Sequence, residues 1–273
     1  MLVLLPGSHN KLAQRVNCSG RPAGFVCAPA SIPARLLCCQ RHTSGLWCER
    51  VFRDHQLSVV RLDTATDNVF QDNGFIVSNN KTICDIVSCQ HVVKMLPVGG
   101  TMAVYFFNSD GLIPRRYNAR IIRTDEGRDL AWLRAQDVYE PVTCLRFFDP
   151  PYASGWNVVA LAYTTLDGSS ATILEPGTYS GTITNEPDEV SLTCSCTSKQ
   201  GASGSPLILP RIDRVVGVLA GASHASVYAV PVTHIREFLI EWLGGDEDLV
   251  KSLNFIATCF ILAPPRITCL SLT

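Results

Sequence analysis

The chain has 273 residues, 47% of them hydrophobic and 17% charged, with a formal net charge of −1, enough for one large β domain or two small ones. That balance gives no electrostatic reason to expect a nucleic acid or an anionic membrane as partner. No apolar run approaches the roughly 18–20 residues of a membrane span, and Met1–Pro6 is too short for a secretory signal core.

Residues 1–50 read as a Cys- and Pro-rich basic extension outside the fold. Lys11, Arg15, Arg21, Arg35 and Arg41 precede the first acidic residue, Glu49, and no apolar periodicity runs through them. Such a composition fits a disordered extension or leader, and it also resembles an organelle transit peptide. The expected location is intracellular, with an organelle open, rather than secreted. The chain carries 12 cysteines. Those at Cys18, Cys27, Cys38, Cys39 and Cys48 match no ordinary zinc spacing, and without a signal peptide they read as reduced thiols. No metal and no organic cofactor is expected.

From Val51 the texture changes to short apolar or alternating runs separated by turn residues. They fall at Ser58–Leu62, Phe75–Ser78, Ile83–Val87, Met102–Phe107, Ala119–Arg123 and Leu130–Leu133. The series continues at Val158–Tyr163, Tyr179–Thr184, Val190–Cys194, Pro206–Leu209, Val215–Ala220 and Val227–Val230. Valine, isoleucine, threonine and aromatics suit pleated, half-buried strands, and no βαβ alternation appears. Residues 51–244 are therefore read as an all-β domain of antiparallel barrels or a sandwich. One helix closes it: Ile235, Phe238, Leu239 and Trp242 form a single apolar stripe, Thr233 can cap the start, and Gly244-Gly245 ends it. Residues 245–273 form a C-terminal tail to which no function is assigned.

Three strings carry candidate chemistry. Gly201-Ala202-Ser203-Gly204-Ser205-Pro206-Leu207 is a tight turn feeding a buried strand, and its glycines leave amides free to converge beside a serine hydroxyl. Taken alone it is equally an ordinary Gly/Ser turn. A serine nucleophile needs a base, and His91 follows a strand pair in Ser88-Cys89-Gln90-His91-Val92-Val93. A carboxylate that could orient it is Asp129, at the mouth of Leu130–Leu133, with Asp125 and Glu126 as competitors at a hairpin tip.

Together the strings resemble the trypsin-like (chymotrypsin-fold) serine peptidases, and within them the HtrA-type branch. That branch shows a Gly-Phe-Ile-Val-Ser strand, an Asn-Ala-His-Val-Val turn, an Asp-Leu-Ala-Leu-Leu strand and a Gly-Asn-Ser-Gly-Gly-Pro-Leu loop. Here Gly74–Ser78, Cys89–Val93, Asp129–Leu133 and Gly201–Leu207 stand in the same order. Trp156–Tyr163, Gly177–Gly181, Val215–Val218 and Tyr228–Val232 extend the likeness over residues 51–244, with no PDZ-like domain after it. Departures are Gln90, Val92, Ala202 in place of the usual Asp or Asn, and Ser205 in place of the second glycine; they set the chain apart from digestive proteases.

The resemblance implies two six-stranded antiparallel β-barrels with a C-terminal helix, and a serine endopeptidase acting on proteins or peptides. His91, Asp129 and Ser203 would form the triad, and the amides of Gly201 and Ser203 the oxyanion hole. Thr197, Ala220, Gly221 and Ser226 would line the pocket for the residue before the scissile bond. None of the four is charged, so small or medium apolar side chains are expected there rather than basic ones. Glutamate specificity would use a histidine near Leu219, or His224 beyond it. Two other readings stay open: a catalytically silent chymotrypsin-fold binding module, and a virus-derived polyprotein-processing protease. No oligomeric state is assigned.

Overall fold

Closure of a β-sheet on itself removes the unpaired edges that an open sheet would expose, and the first half of the domain uses this device. The structure, a computed structural model, describes residues 35–63, 71–107, 114–148, 152–164, 176–185, 191–197, 201–222, 226–242, 244 and 255–256. Strands β1 (Val59–Asp63), β2 (Gln71–Asn80), β3 (Ile83–Ser88), β4 (Thr101–Phe106), β5 (Arg115–Asp125) and β6 (Leu130–Ala135) form a closed barrel in the order β1-β2-β3-β6-β5-β4. The closing pair sets Val60 opposite Phe106. Val60, Leu62, Phe75, Ile86, Val104, Phe106, Ile121 and Leu133 are all buried. Bulges between Ile76 and Ser78 and between Ile121 and Arg123 bend the longer strands, as closure requires.

The second half builds a similar sheet from β8 (Asn157–Ala162), β9 (Gly177–Thr182), β10 (Leu192–Cys194), β11 (Pro206–Leu209), β12 (Arg214–Ala222) and β13 (Val227–Pro231). Its order is β10-β13-β12-β11-β8-β9. A bridge between Ile183 and Cys194 joins the two ends. Amides of Thr184 and Ser195 donate there to Thr193 O and Thr182 O, each at 2.9 Å. This barrel is thus held shut by a short seam rather than by a full strand pair.

The twelve strands expected from the sequence all appear, together with two that the pattern did not indicate. These are β7 (Arg146–Phe148) and β14 (Phe255–Ile256), which pair in parallel with β12 and with β7. Before the first barrel lies α1 (Arg35–His55), where the sequence reading placed no structure before Val51. Val51 on it is fully buried, and Cys48 and Phe52 pack against the core. Short α2 (Gln90–Val93) follows β3, and α3 (Val232–Trp242) follows β13. Ile235, Phe238 and Leu239 of α3 are buried, as the stripe predicts. Trp242 stacks on Trp132 of β6 with ring centroids 4.5 Å apart, which ties the helix to the first barrel. The described cysteines, Cys48, Cys84, Cys89, Cys144, Cys194 and Cys196, are free thiols.

Candidate active site

The histidine stands where β3 gives way to a single helical turn. Ser88 closes the strand by donating its hydroxyl to Asn73 O at 2.7 Å. Cys89 is still extended, at φ −83° and ψ 148°. The amides of a first helical turn have no partner within the helix, and Asp129 supplies one: His91 N–H donates to Oδ1 at 2.9 Å. The same carboxylate meets His91 Nδ1 at 2.8 Å through Oδ2 and at 3.0 Å through Oδ1. An ionised carboxylate only accepts, so Nδ1 carries the hydrogen and Nε2 is left as an acceptor. The sequence-predicted pair is therefore brought together on the first barrel.

Asp129 has φ +54°, a left-handed conformation that asparagine and aspartate tolerate better than most side chains. That turn aims its carboxylate back at α2. Its competitor Asp125 is committed elsewhere, accepting the Arg128 amide at 2.9 Å and its guanidinium at 2.8 Å. Burial raises the Asp125 carboxyl, but these contacts outweigh it and hold the group below its usual range. Arg128 also reaches Glu241 of α3 at 2.6 Å, so the hairpin before Asp129 is held from two sides. The His91 imidazole titrates above its ordinary range. The hydrogen bond to Asp129 is the main cause, burial opposes it, the charges of Asp129 and Asp72 add to it, and Lys94 works against them.

Ser203 is carried by the second barrel, in a turn whose glycines Gly201 and Gly204 adopt φ +83° and +79°. Its hydroxyl donates to Ala220 O at 3.5 Å, a long contact. Among the described residues, neither the Gly201 nor the Ser203 amide meets a backbone acceptor. The loop is fastened to the first barrel by Asn73, a residue that sequence reasoning did not single out. Asn73 N–H donates to Ser203 O at 2.8 Å. Its side-chain amide donates to Gly201 O at 2.6 Å and to Tyr163 O at 2.9 Å, and its Oδ1 accepts the Tyr163 amide at 2.7 Å. Every polar atom of this fully buried side chain is used, as burial of an amide demands. As the third residue of β2, after Gln71 and Asp72, Asn73 gave no signal in the sequence that set it apart from the other polar residues of that strand.

The remaining predicted positions lie around this loop. Ala220 and Gly221 are half-buried at the end of β12, Ser226 is half-buried beside β13, and Thr197 is exposed after β10. The β12–β13 register shifts between Leu219 and Gly221, leaving Ala220 out of the ladder with its carbonyl toward Ser203. His224 lies outside the described residues.

Comparison with known proteins adds three findings. A family model described as a trypsin-like peptidase domain matches residues 73–218. Among solved structures, the Rv3671c protease of M. tuberculosis H37Rv in an inactive form has a TM-score of 0.56 at 22% identity, covering 72% of this chain and 95% of that one. A serine endoprotease from Yersinia pestis also has a TM-score of 0.56, at 19% identity, covering 73% and 67%. Deg5 has the same score at 16% identity, covering 70% and 91%. At these identities the likeness is one of fold. No curated protein sequence matches the chain.

Proposed function

Since the chain belongs to the trypsin-like peptidase family and is a serine-type endopeptidase, we propose that it cuts through an acyl-enzyme formed on Ser203. Ser203 Oγ attacks the scissile carbonyl while His91 Nε2 takes its proton. The amides of Gly201 and Ser203 hold the oxyanion. His91 then delivers the proton to the departing amine, and water repeats the sequence to release the acid. Asp129 stays ionised throughout, keeps the hydrogen on Nδ1 and stabilises the imidazolium.

The observation that carries this reading is the fixed pairing of His91 Nδ1 with the Asp129 carboxylate at 2.8 Å. It supports a base whose free nitrogen is held ready for the hydroxyl of the neighbouring loop. The weak Ser203–Ala220 contact costs little to give up when substrate arrives. A fluorophosphonate probe tests the proposal: the wild type is expected to label on Ser203, identified by peptide mass mapping. A protein that stays unlabelled would overturn the assignment of Ser203 as the residue that carries the acyl group.

The pH dependence follows from the state of His91. The base must be neutral, so kcat/KM is expected to fall as pH drops through a midpoint above the ordinary imidazole value. Asp129→Asn removes the main raising contact, so the midpoint moves down. The rate falls by about 10³–10⁴-fold, because the wrong tautomer is favoured. Asp72→Asn shifts the midpoint the same way but less. A pH–rate series on the three proteins checks the order; an unmoved midpoint in Asp129→Asn would refute the assignment.

Specificity is expected to follow the uncharged character of Thr197, Ala220, Gly221 and Ser226. A basic side chain would lose its hydration there without gaining a counter-ion. Profiling a peptide library should show cleavage after Val, Ala or Leu. Strong cleavage after Arg or Lys would contradict the pocket, and cleavage after Glu would point to His224.

A further inference from the structure

The catalytic reading leaves one fully buried group beside the triad without a task. Cys89 lies two residues before His91 and is closed off from solvent. Its Sγ sits 3.1 Å from Leu219 O, on β12 of the second barrel. That carbonyl also accepts the amide of Gly204, the residue after Ser203, at 2.7 Å. A single oxygen thus receives one donor from the His91 turn and one from the Ser203 loop. The Cys89 sulfur, a ring nitrogen of His91 and a carboxylate oxygen of Asp129 also lie within 4.8 Å of one another. Burial, and after it the charge of Asp129, drive the thiol far above its ordinary range. It therefore keeps its hydrogen at neutral pH and remains a donor.

We propose that Cys89 is a positioning residue for catalysis: its S–H ties the His91 turn to the carbonyl that also holds the Ser203 loop, and so sets the separation across which the proton passes. This rests on the triad reading above. A thiol donor is weak, and its effect on folding is correspondingly small. Its effect on rate is larger, because a misplacement on the order of 1 Å between base and nucleophile costs about 100-fold.

Four full-length proteins distinguish the possibilities: wild type, Cys89→Ala, Cys89→Ser and Cys89→Val. Each is treated with the fluorophosphonate probe, and both the rate and the final extent of labelling are read, with kcat and KM measured on a peptide substrate. Serine keeps the donor, whereas valine fills the space without one. All four should label to the same extent. Cys89→Ala and Cys89→Val should label about 10- to 100-fold more slowly, with kcat reduced and KM within about twofold, and Cys89→Ser should recover most of the rate. A Cys89→Val protein as fast as wild type would reduce the role to volume and overturn the proposal. So would a Cys89→Ser protein as slow as Cys89→Ala. A wild type that fails to label would instead remove the triad reading, and the role of Cys89 with it.

Discussion

Ser203→Ala and His91→Ala are each expected to lower kcat by about 10⁵–10⁶-fold, and the double variant to be little worse than either alone. The reason is that, in the proposed mechanism, the groups act as one unit. Without the hydroxyl, a positioned imidazole has no proton to take; without the imidazole, the hydroxyl is a poor nucleophile at neutral pH. What survives is binding plus the oxyanion amides, which still act on attack by water. Neither change touches the interior, since His91 and Ser203 are only part-buried. Melting temperatures should therefore stay close to wild type. Steady-state kinetics with active-site titration checks both halves of the expectation; additive losses in the double variant would mean that the two residues work separately.

Gly204→Ala is expected to damage the protein by another route. A β-carbon at this position would run into Asn73 O and lie 2.5 Å from Ser88 Oγ, and the backbone holds φ +79°. The side chain would push apart the two barrels at the place where Asn73 binds Ser203 O and Ser88 binds Asn73 O. Left-handed strain and overpacking each cost about 1–3 kcal/mol, a large part of the total stability of about 5–15 kcal/mol that a domain has. Probe labelling should drop by about 10²-fold or more, in line with a site displaced by an ångström or more. Gly155→Ala is the control. It has φ +83° with nothing within 4 Å of the added carbon, so it should cost only about 1–2 kcal/mol and leave labelling intact. Urea denaturation and probe labelling of the pair read the contrast; equal losses would mean that φ alone, not the crowding at Asn73, sets the cost.

The parts of the fold that were legible in the sequence are those with a local cause. Alternating valine, isoleucine and aromatic runs between turn residues mark strands because a pleated strand repeats every two residues, and all six strands of each barrel were visible this way. β7 and β14 were not, since three- and two-residue strands are too short to show a period. Their parallel partners also lie far away in sequence. α1 was missed because Gly45, Ser44 and Thr43 interrupt any apolar stripe, while its burial comes from Val51 packing onto the core. The site divides in the same manner. His91, Asp129 and Ser203 could be named from short strings, but the choice of Asp129 over Asp125 becomes physical only with φ +54° and the bond to the His91 amide. The bonds of Asn73 and Cys89 were illegible, because their partners at Tyr163, Gly201, Ser203 and Leu219 are set by how the barrels meet.

The placement of the candidate triad on two barrels has a consequence for the order in which a growing chain becomes dangerous. The histidine and its carboxylate belong to a sheet complete by Ala135, whereas the serine turn lies between β10 and β11 and is anchored by Asn73 and by Leu219 O. A ribosome-bound chain that has released only the first barrel carries the proposed base with nothing to activate. The proposed nucleophile is added late, and its register against the proposed base is set only when β12, which bears Leu219, has been made and docked. Cutting power would therefore switch on at the last stage of folding, once the chain that could be its own first substrate has already buried most of its peptide bonds.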